Sequence, residues 1–241
     1  RAALRAGKYR FVDLLGEFIN ISAGDWSVPR LRERYGSDIV DNAVDVLGFL
    51  ALELLRSASI QDKSWVMQSV TRYFIQHLKV DSTNAVDLAA RFVEFAAEES
   101  MFLRSAGDRL YWSQLTFQNY FAALRLVRAA DEVGNAVKAI RSRWFDTNRG
   151  NAPAFATAML SSNDERSEIV WEILSSEREE RLDFMTSLII DGAELPKEIV
   201  ETLVDQLLDK AREERAEYGA ALRPSARSSF AFDLLVSLRH L

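Results

Sequence analysis

The sequence predicts a mainly α-helical protein: a winged-helix domain with one small β-hairpin, followed by a stack of antiparallel helix pairs. Three observations carry this expectation. Gly numbers 10 and Pro 4 among 241 residues, so few positions supply φ > 0 or remove an amide donor. Between them, long runs repeat apolar residues at helical spacing. One short stretch, Met101 to Trp112, switches to strand-like runs around Ser105-Ala106-Gly107-Asp108. A content of 48% hydrophobic and 27% charged residues excludes collagen-like, low-complexity and disordered classes.

Breaks are expected at Gly24, Pro29, Gly36, Asp81-Ser82, Gly107, Gly150 to Pro153, Pro196 and Gly219 to Pro224, leaving about ten helices. Residues 1–36 read as a helical connector. Ile39, Val40, Ala43, Val44, Val46, Leu47, Phe49, Leu50, Leu52, Leu54 and Leu55 surround a helix on nearly every side, so it must be central. A second helix follows Asp62, a candidate N-cap, with Trp65, Val66, Val70, Tyr73 and Phe74 at helical spacing. A third starts near Ser82, with Leu88, Phe92, Val93, Phe95 and Ala96 on one stripe. The hairpin then pairs Met101-Phe102-Leu103-Arg104 with Arg109-Leu110-Tyr111-Trp112.

The next helix is expected to open at Thr116, whose hydroxyl can cap it, with Leu115 and Tyr120 forming a hydrophobic staple. Three helices, a hairpin and this helix make residues 37–127 a winged-helix domain. Beyond it, helices over 131–143, 152–161, 164–176, 179–191, 196–216 and 225–240 read as a paired-helix region, 128–241, with no strict repeat period. Trp144 and Trp171 are expected as core anchors.

Net charge is −6 and the pI about 5.2, which weighs against general binding to nucleic acid or to an anionic membrane. The charge is uneven: +3 over 1–36, −5 over 37–100, +4 over 101–150, −10 over 161–217 and +2 over 218–241. The most acidic block carries the apolar face Leu195, Ile199, Leu203 and Leu207, and two readings stand: a solvated face, or a surface for a basic partner. The third helix sets Asp87, Glu94, Glu98 and Glu99 against the single Arg91, and the hairpin adds only Arg104 and Arg109. DNA binding through that helix is therefore not expected, although many winged helices use it so.

Catalytic signatures are missing. With no Cys, disulfides, thiol catalysis and Cys-ligated metals are excluded, and a reducing, cytoplasmic setting fits. The two His, His77 and His240, lack the His-Glu-x-x-His spacing of a metal site, and no Gly-x-Ser-x-Gly elbow occurs. Glu98-Glu99 and Glu179-Glu180 are adjacent, so on a helix they diverge by about 100° and make poor acid–base partners. The most apolar stretch, Val46 to Leu55, is far short of the ~20 residues a membrane-spanning helix needs. Neither catalysis, nor a metal, nor a membrane partner is expected.

The stretch Leu110-Tyr111-Trp112-Ser113-Gln114-Leu115-Thr116-Phe117-Gln118-Asn119-Tyr120-Phe121-Ala122-Ala123 resembles the motif that closes the winged-helix part of NACHT-type (STAND) signalling NTPases. There an aromatic strand leads into His-Leu-Thr-Phe-Gln-Glu-Tyr and a small-residue helix. The resemblance covers roughly residues 38–127. It implies a switch in which ADP holds the winged helix against an N-terminal NTPase domain of the same chain, while a protein trigger and ATP, with Mg, release it to self-associate. Bacterial relatives serve in antiphage defence. Gln114 stands where the family places a His near the ADP β-phosphate; its amide can donate a hydrogen bond but cannot become cationic. Asn119 replaces the Glu that would complete a capping box with Thr116.

A P-loop requires Gly-Lys-Ser/Thr after a Gly-rich turn, and the one Gly-Lys pair, Gly7-Lys8, precedes Tyr9. The chain opens at Arg1 without Met, so the resemblance implies that the hydrolysing core precedes it in a longer parent. The competing expectation is a non-catalytic helical scaffold or adaptor for protein–protein interaction.

Overall fold

Helix α3, Ser37–Leu54, forms the centre of the fold, with Ile39, Ala43, Val46, Leu47, Leu50 and Ala51 all buried. It belongs to a computed structural model that describes residues 10–26, 29–55, 60–133, 138, 140, 151–176, 180–190 and 195–218. Among these lie ten helices and a three-stranded antiparallel sheet, a mainly α fold. Two helices precede α3: α1, Phe11–Trp26, and α2, Pro29–Tyr35. Pro29 opens α2, where its missing amide costs nothing. Gly36 bridges to α3 at φ 96°, a conformation that favours glycine. The break expected at Gly24 does not occur; α1 runs through it, with open space where a Cβ would stand.

After α3 come strand β1, Ile60–Asp62, and helix α4, Lys63–His77. Asp62 occupies the N-cap position in an extended conformation, but its carboxylate makes no cap bond and lies 3.8 Å from Arg109. Helix α5, Ser82–Glu98, is capped by Asp81, which accepts from the amides of Thr83 and Asn84 at 3.1 Å each. The expected stripe on α5 is buried at Phe92, Val93, Phe95 and Ala96.

Strands β2, Leu103–Ala106, and β3, Arg109–Trp112, form the hairpin, with Ala106 opposite Arg109 and Gly107 at φ 59° in the two-residue loop. Met101 and Phe102 lie ahead of β2 rather than in it. The sheet order is β1-β3-β2, because Ile60 to Asp62 pairs with Tyr111 to Arg109 along the free side of β3. This third strand adds to the single hairpin expected. From α3 to β3 the order is helix, strand, helix, helix, strand, strand, that of a winged helix.

Helix α6, Leu115–Val133, packs against both α3 and α7, Ala152–Met159. At Gly48 of α3 the approach is close: a Cβ there would lie 3.2 Å from the Phe121 carbonyl oxygen and from Arg125 Cβ. Helix α7 buries Ala152, Ala154, Ala156 and Ala158, small side chains that let backbones come together, along with the larger Phe155. The chain continues through α8, Asn163–Leu174, α9, Glu180–Ile190, and α10, Lys197–Tyr218, each packed on its neighbours. Ser162 caps α8 by accepting from the Glu165 amide at 3.3 Å. Ile199, Leu203 and Leu207 of α10 are buried, as their spacing predicts.

The helix expected over 131–143 begins differently, since residues 131–133 complete α6. Lys138 and Ile140 are helical, while the helix expected over 225–240 lies outside the described residues, as do Trp144, Glu179, His240, Gly150 and the Gly219 to Pro224 break. Trp171, expected as a core anchor, is 45% exposed on α8. The inward face of that helix is filled by Ile169, Val170, Ile173 and Leu174. No helix among the described residues is long and apolar enough to cross a membrane.

Candidate functional site

The passage from β3 into α6 places Gln114 on an aromatic foundation. Phe102, fully buried, sits with its ring 5.0 Å from those of Phe117 and Phe121 and 5.6 Å from Trp26, and Trp112 stacks at a tilt 5.6 Å from Phe121. Offset and edge-on rings at these separations attract beyond their burial. The Ser113 amide donates to the Phe102 carbonyl at 2.8 Å, which ends the ladder and turns the chain. Gln114 follows, exposed, and its carbonyl accepts from the amides of Phe117 at 3.2 Å and Gln118 at 3.5 Å.

Those bonds place the cap of α6 at Gln114, two residues before the expected Thr116. Thr116 therefore lies inside the first turn, not at the cap, and Asn119 falls outside any capping box with it. The expected staple is also not made: Leu115 is 49% exposed, while Tyr120 is buried with its hydroxyl against Gly16 of α1. Burial pushes the Tyr120 hydroxyl above its usual pKa.

Four polar atoms at this junction are buried without a hydrogen-bond partner: Trp112 Nε1, Ser113 Oγ, Gln118 Oε1 and Asn119 Oδ1. Gln118 and Asn119 are only 2% and 6% exposed. Spacing alone did not reveal them, because a Gln-Asn pair in the first turn of a helix usually faces water. An unpartnered buried amide is costly, so an apolar replacement here is expected to stabilise the fold.

A second assembly joins α2 to α5. Arg34 reaches Glu98 at 2.6 Å, Glu94 at 3.0 Å and Glu99 at 3.5 Å, and Arg30 reaches Glu99 at 3.7 Å. The Tyr35 hydroxyl donates to Glu98 at 3.2 Å beneath them, while Arg32 pairs with Asp41 of α3 at 2.7 Å. Burial, with the Glu98 charge second, pushes the Tyr35 pKa up to about 12. Arg91 pairs with Asp87 on α5 itself. The acidic face of the third helix is thus engaged by arginines of α2 and of its own helix. Glu98 and Glu99, adjacent in sequence, converge on one guanidinium rather than on each other.

No family model matches this chain, and neither does any curated protein or solved structure. Its site is therefore described by its own chemistry. At pH 7 the Gln114 amide can donate and accept but not exchange a proton. His77 lies on the last turn of α4, its ring 4.9 Å from that of Tyr73. Among the described residues no group of three His, Asp or Glu side chains is placed to hold a metal.

Proposed function

We propose that this chain is the regulatory part of a NACHT-type ATPase switch, carrying nucleotide state and trigger binding from an N-terminal NTPase domain to self-association. The observation that supports this most is the β3–α6 junction. There an exposed neutral amide, Gln114, projects from a rigid aromatic base at the position where the resemblance puts a nucleotide-contacting side chain. The order of elements from α3 to β3 agrees with the same reading.

In this reading ADP, ATP and Mg belong to the upstream domain. Gln114 would offer a nucleotide a neutral amide donor, and among the described residues no group of three or more His, Asp or Glu side chains is placed to hold a metal. Signalling then rests on two packings of one module, biased by contacts that differ between nucleotide states. In this reading α5 serves the fold rather than DNA, its carboxylates Glu94, Glu98 and Glu99 being paired with Arg34 of α2. An antiphage setting in the cytoplasm follows the same resemblance.

The decisive experiment replaces Gln114 by His in the intact parent and measures ADP dissociation. A changed rate of release supports contact at this position; an unchanged rate removes Gln114 from the nucleotide. The scaffold reading draws support from the apolar side chains that α1 leaves exposed. A parent without a P-loop upstream of Arg1 would favour it.

A further inference from the structure

A single residue separates α2 from α3. The Gly36 amide closes the first helix by donating to the Arg32 carbonyl at 2.9 Å, and the Gly36 carbonyl opens the second by accepting from the Val40 amide at 3.3 Å. Both are the i to i−4 bonds of an α-helix. Only the backbone of Gly36 breaks the run, at φ 96° and ψ 150°, a region open in practice to glycine alone. Across the break the carbonyls of Glu33, Arg34 and Tyr35 match the amides of Ser37, Asp38 and Ile39 at the same spacing, yet the two sets are not bonded to each other. With Gly36 in helical dihedrals all three bonds would form, and Pro29 to Leu54 would become one helix about 39 Å long.

That change would lift α2 from its seat. Leu31 and Tyr35 are buried there, with the Tyr35 ring edge-on to Phe95 of α5 at 5.5 Å, while Arg30 and Arg34 hold Glu94, Glu98 and Glu99. Helix α1 travels with α2, since only Ser27 and Val28 lie between them in the chain, and its Trp26 leaves Phe95 and Phe102. The vacated seat is apolar at its floor and acidic at its rim. It fits a helix carrying Leu, Tyr and two arginines at the spacing of α2, and a second copy of this chain brings that helix.

We propose that two copies of this chain dimerise by exchanging their N-terminal arms, α1 with α2, about Gly36 as the hinge. Each copy then runs unbroken from Pro29 to Leu54, and its α2 fills the seat of the other copy. The contacts of the arm are kept but made between copies, and each hinge gains three backbone bonds. Glycine is a poor residue for a helix interior, which keeps the closed monomer competitive and lets a small bias decide between the two forms. The inference stands apart from the switch reading, because it uses neither nucleotide nor the β3–α6 junction.

A Cβ on Gly36 would meet only the end of Arg91, at 3.8 Å, so Gly36→Ala acts on conformation rather than on space. In the full chain, refolded at matched concentrations and sized by light scattering, it should raise the dimerisation constant by about tenfold. Two glycines inserted after Gly36 let the chain turn back without strain and should abolish the dimer. Charge reversal then identifies the exchange itself. Arg34→Glu and Glu98→Arg each spoil the clamp within one chain, but a swapped pair of the two variants regains the native clamp on one seat and a reversed pair on the other. Refolded together with one variant mass-labelled, they should favour mixed over like dimers by about threefold in native mass spectra, as exposed ion pairs allow. A Gly36→Ala chain no more dimeric than wild type, a dimer unaffected by the inserted glycines, and random pairing or no dimer in the mixture would each overturn the proposal. The mixing experiment leaves Gly36 intact, so it decides even where Gly36→Ala fails to fold.

Discussion

Gly48 of α3 meets Phe121 of α6 so closely that a Cβ on the glycine would stand 3.2 Å from the Phe121 carbonyl oxygen. Backbone on one side and the Arg125 Cβ on the other leave no flexible end to move. Gly48→Ala gains about 1 kcal/mol of helix propensity, but inserting a methyl into a packed seam costs about 1–3 kcal/mol. A net loss near 1 kcal/mol is expected from urea denaturation, and Gly48→Leu should lose several times more. A Gly48→Ala protein more stable than wild type would show that the α3–α6 seam yields.

The Asp81 cap adds an acid-side dependence. Its carboxylate is held below the ordinary pKa of 3.8, first by the Asn84 amide and then by the Asn84 side chain. A depressed folded-state value means that the cap stabilises fully above the unfolded value and is lost as pH falls through the folded one. Asp81→Asn keeps an acceptor but removes the charge. It should therefore narrow the loss in stability between pH 7 and strongly acidic conditions, measured by urea midpoints. An unaltered acid dependence would assign that loss to other carboxylates.

Tyr35 acts at the opposite end of the scale. Its pKa rises from 10.0 to about 12, because burial and the facing Glu98 both oppose a phenolate while Arg34 only partly compensates. The folded protein therefore holds the proton more tightly than the unfolded chain. The contribution is complete below pH 10 and drains away as pH rises from 10 through 12. Tyr35→Phe should flatten the stability curve over that window, and absorbance titration should lose its latest-ionising tyrosine. If the curve keeps its slope, Tyr35 is not the group that ionises.

The elements of the fold differ in how readily the sequence discloses them. Central α3 was legible because apolar residues on every side of a helix admit one location, and the hairpin because Gly107 interrupts two strand-like runs. Strand β1 was not, since three residues are too few for alternation to declare itself. The cap of α6 slipped by two residues, from Thr116 to Gln114, because Gln114, a poor cap by type, supplies its carbonyl where Thr116 had the better side chain. The α2–α5 clamp joins residues some sixty positions apart, and no local pattern encodes which Arg meets which Glu.

Gln118 carries the last test, because it separates cost from purpose. Its Oε1 is buried without a partner at a position only 2% exposed, and an unsatisfied buried amide costs about 1–3 kcal/mol. Methionine has a similar length and no polar group to satisfy, and its flexible thioether adapts to the space. Gln118→Met should therefore raise the urea midpoint, by about 1 kcal/mol in stability. A loss of that size instead would mean that the amide is satisfied in solution, for example by water. If the gain appears while the intact parent loses its response to nucleotide, the amide is retained for a contact formed in the other state of the switch, since sites that work by changing partners give up stability to do so.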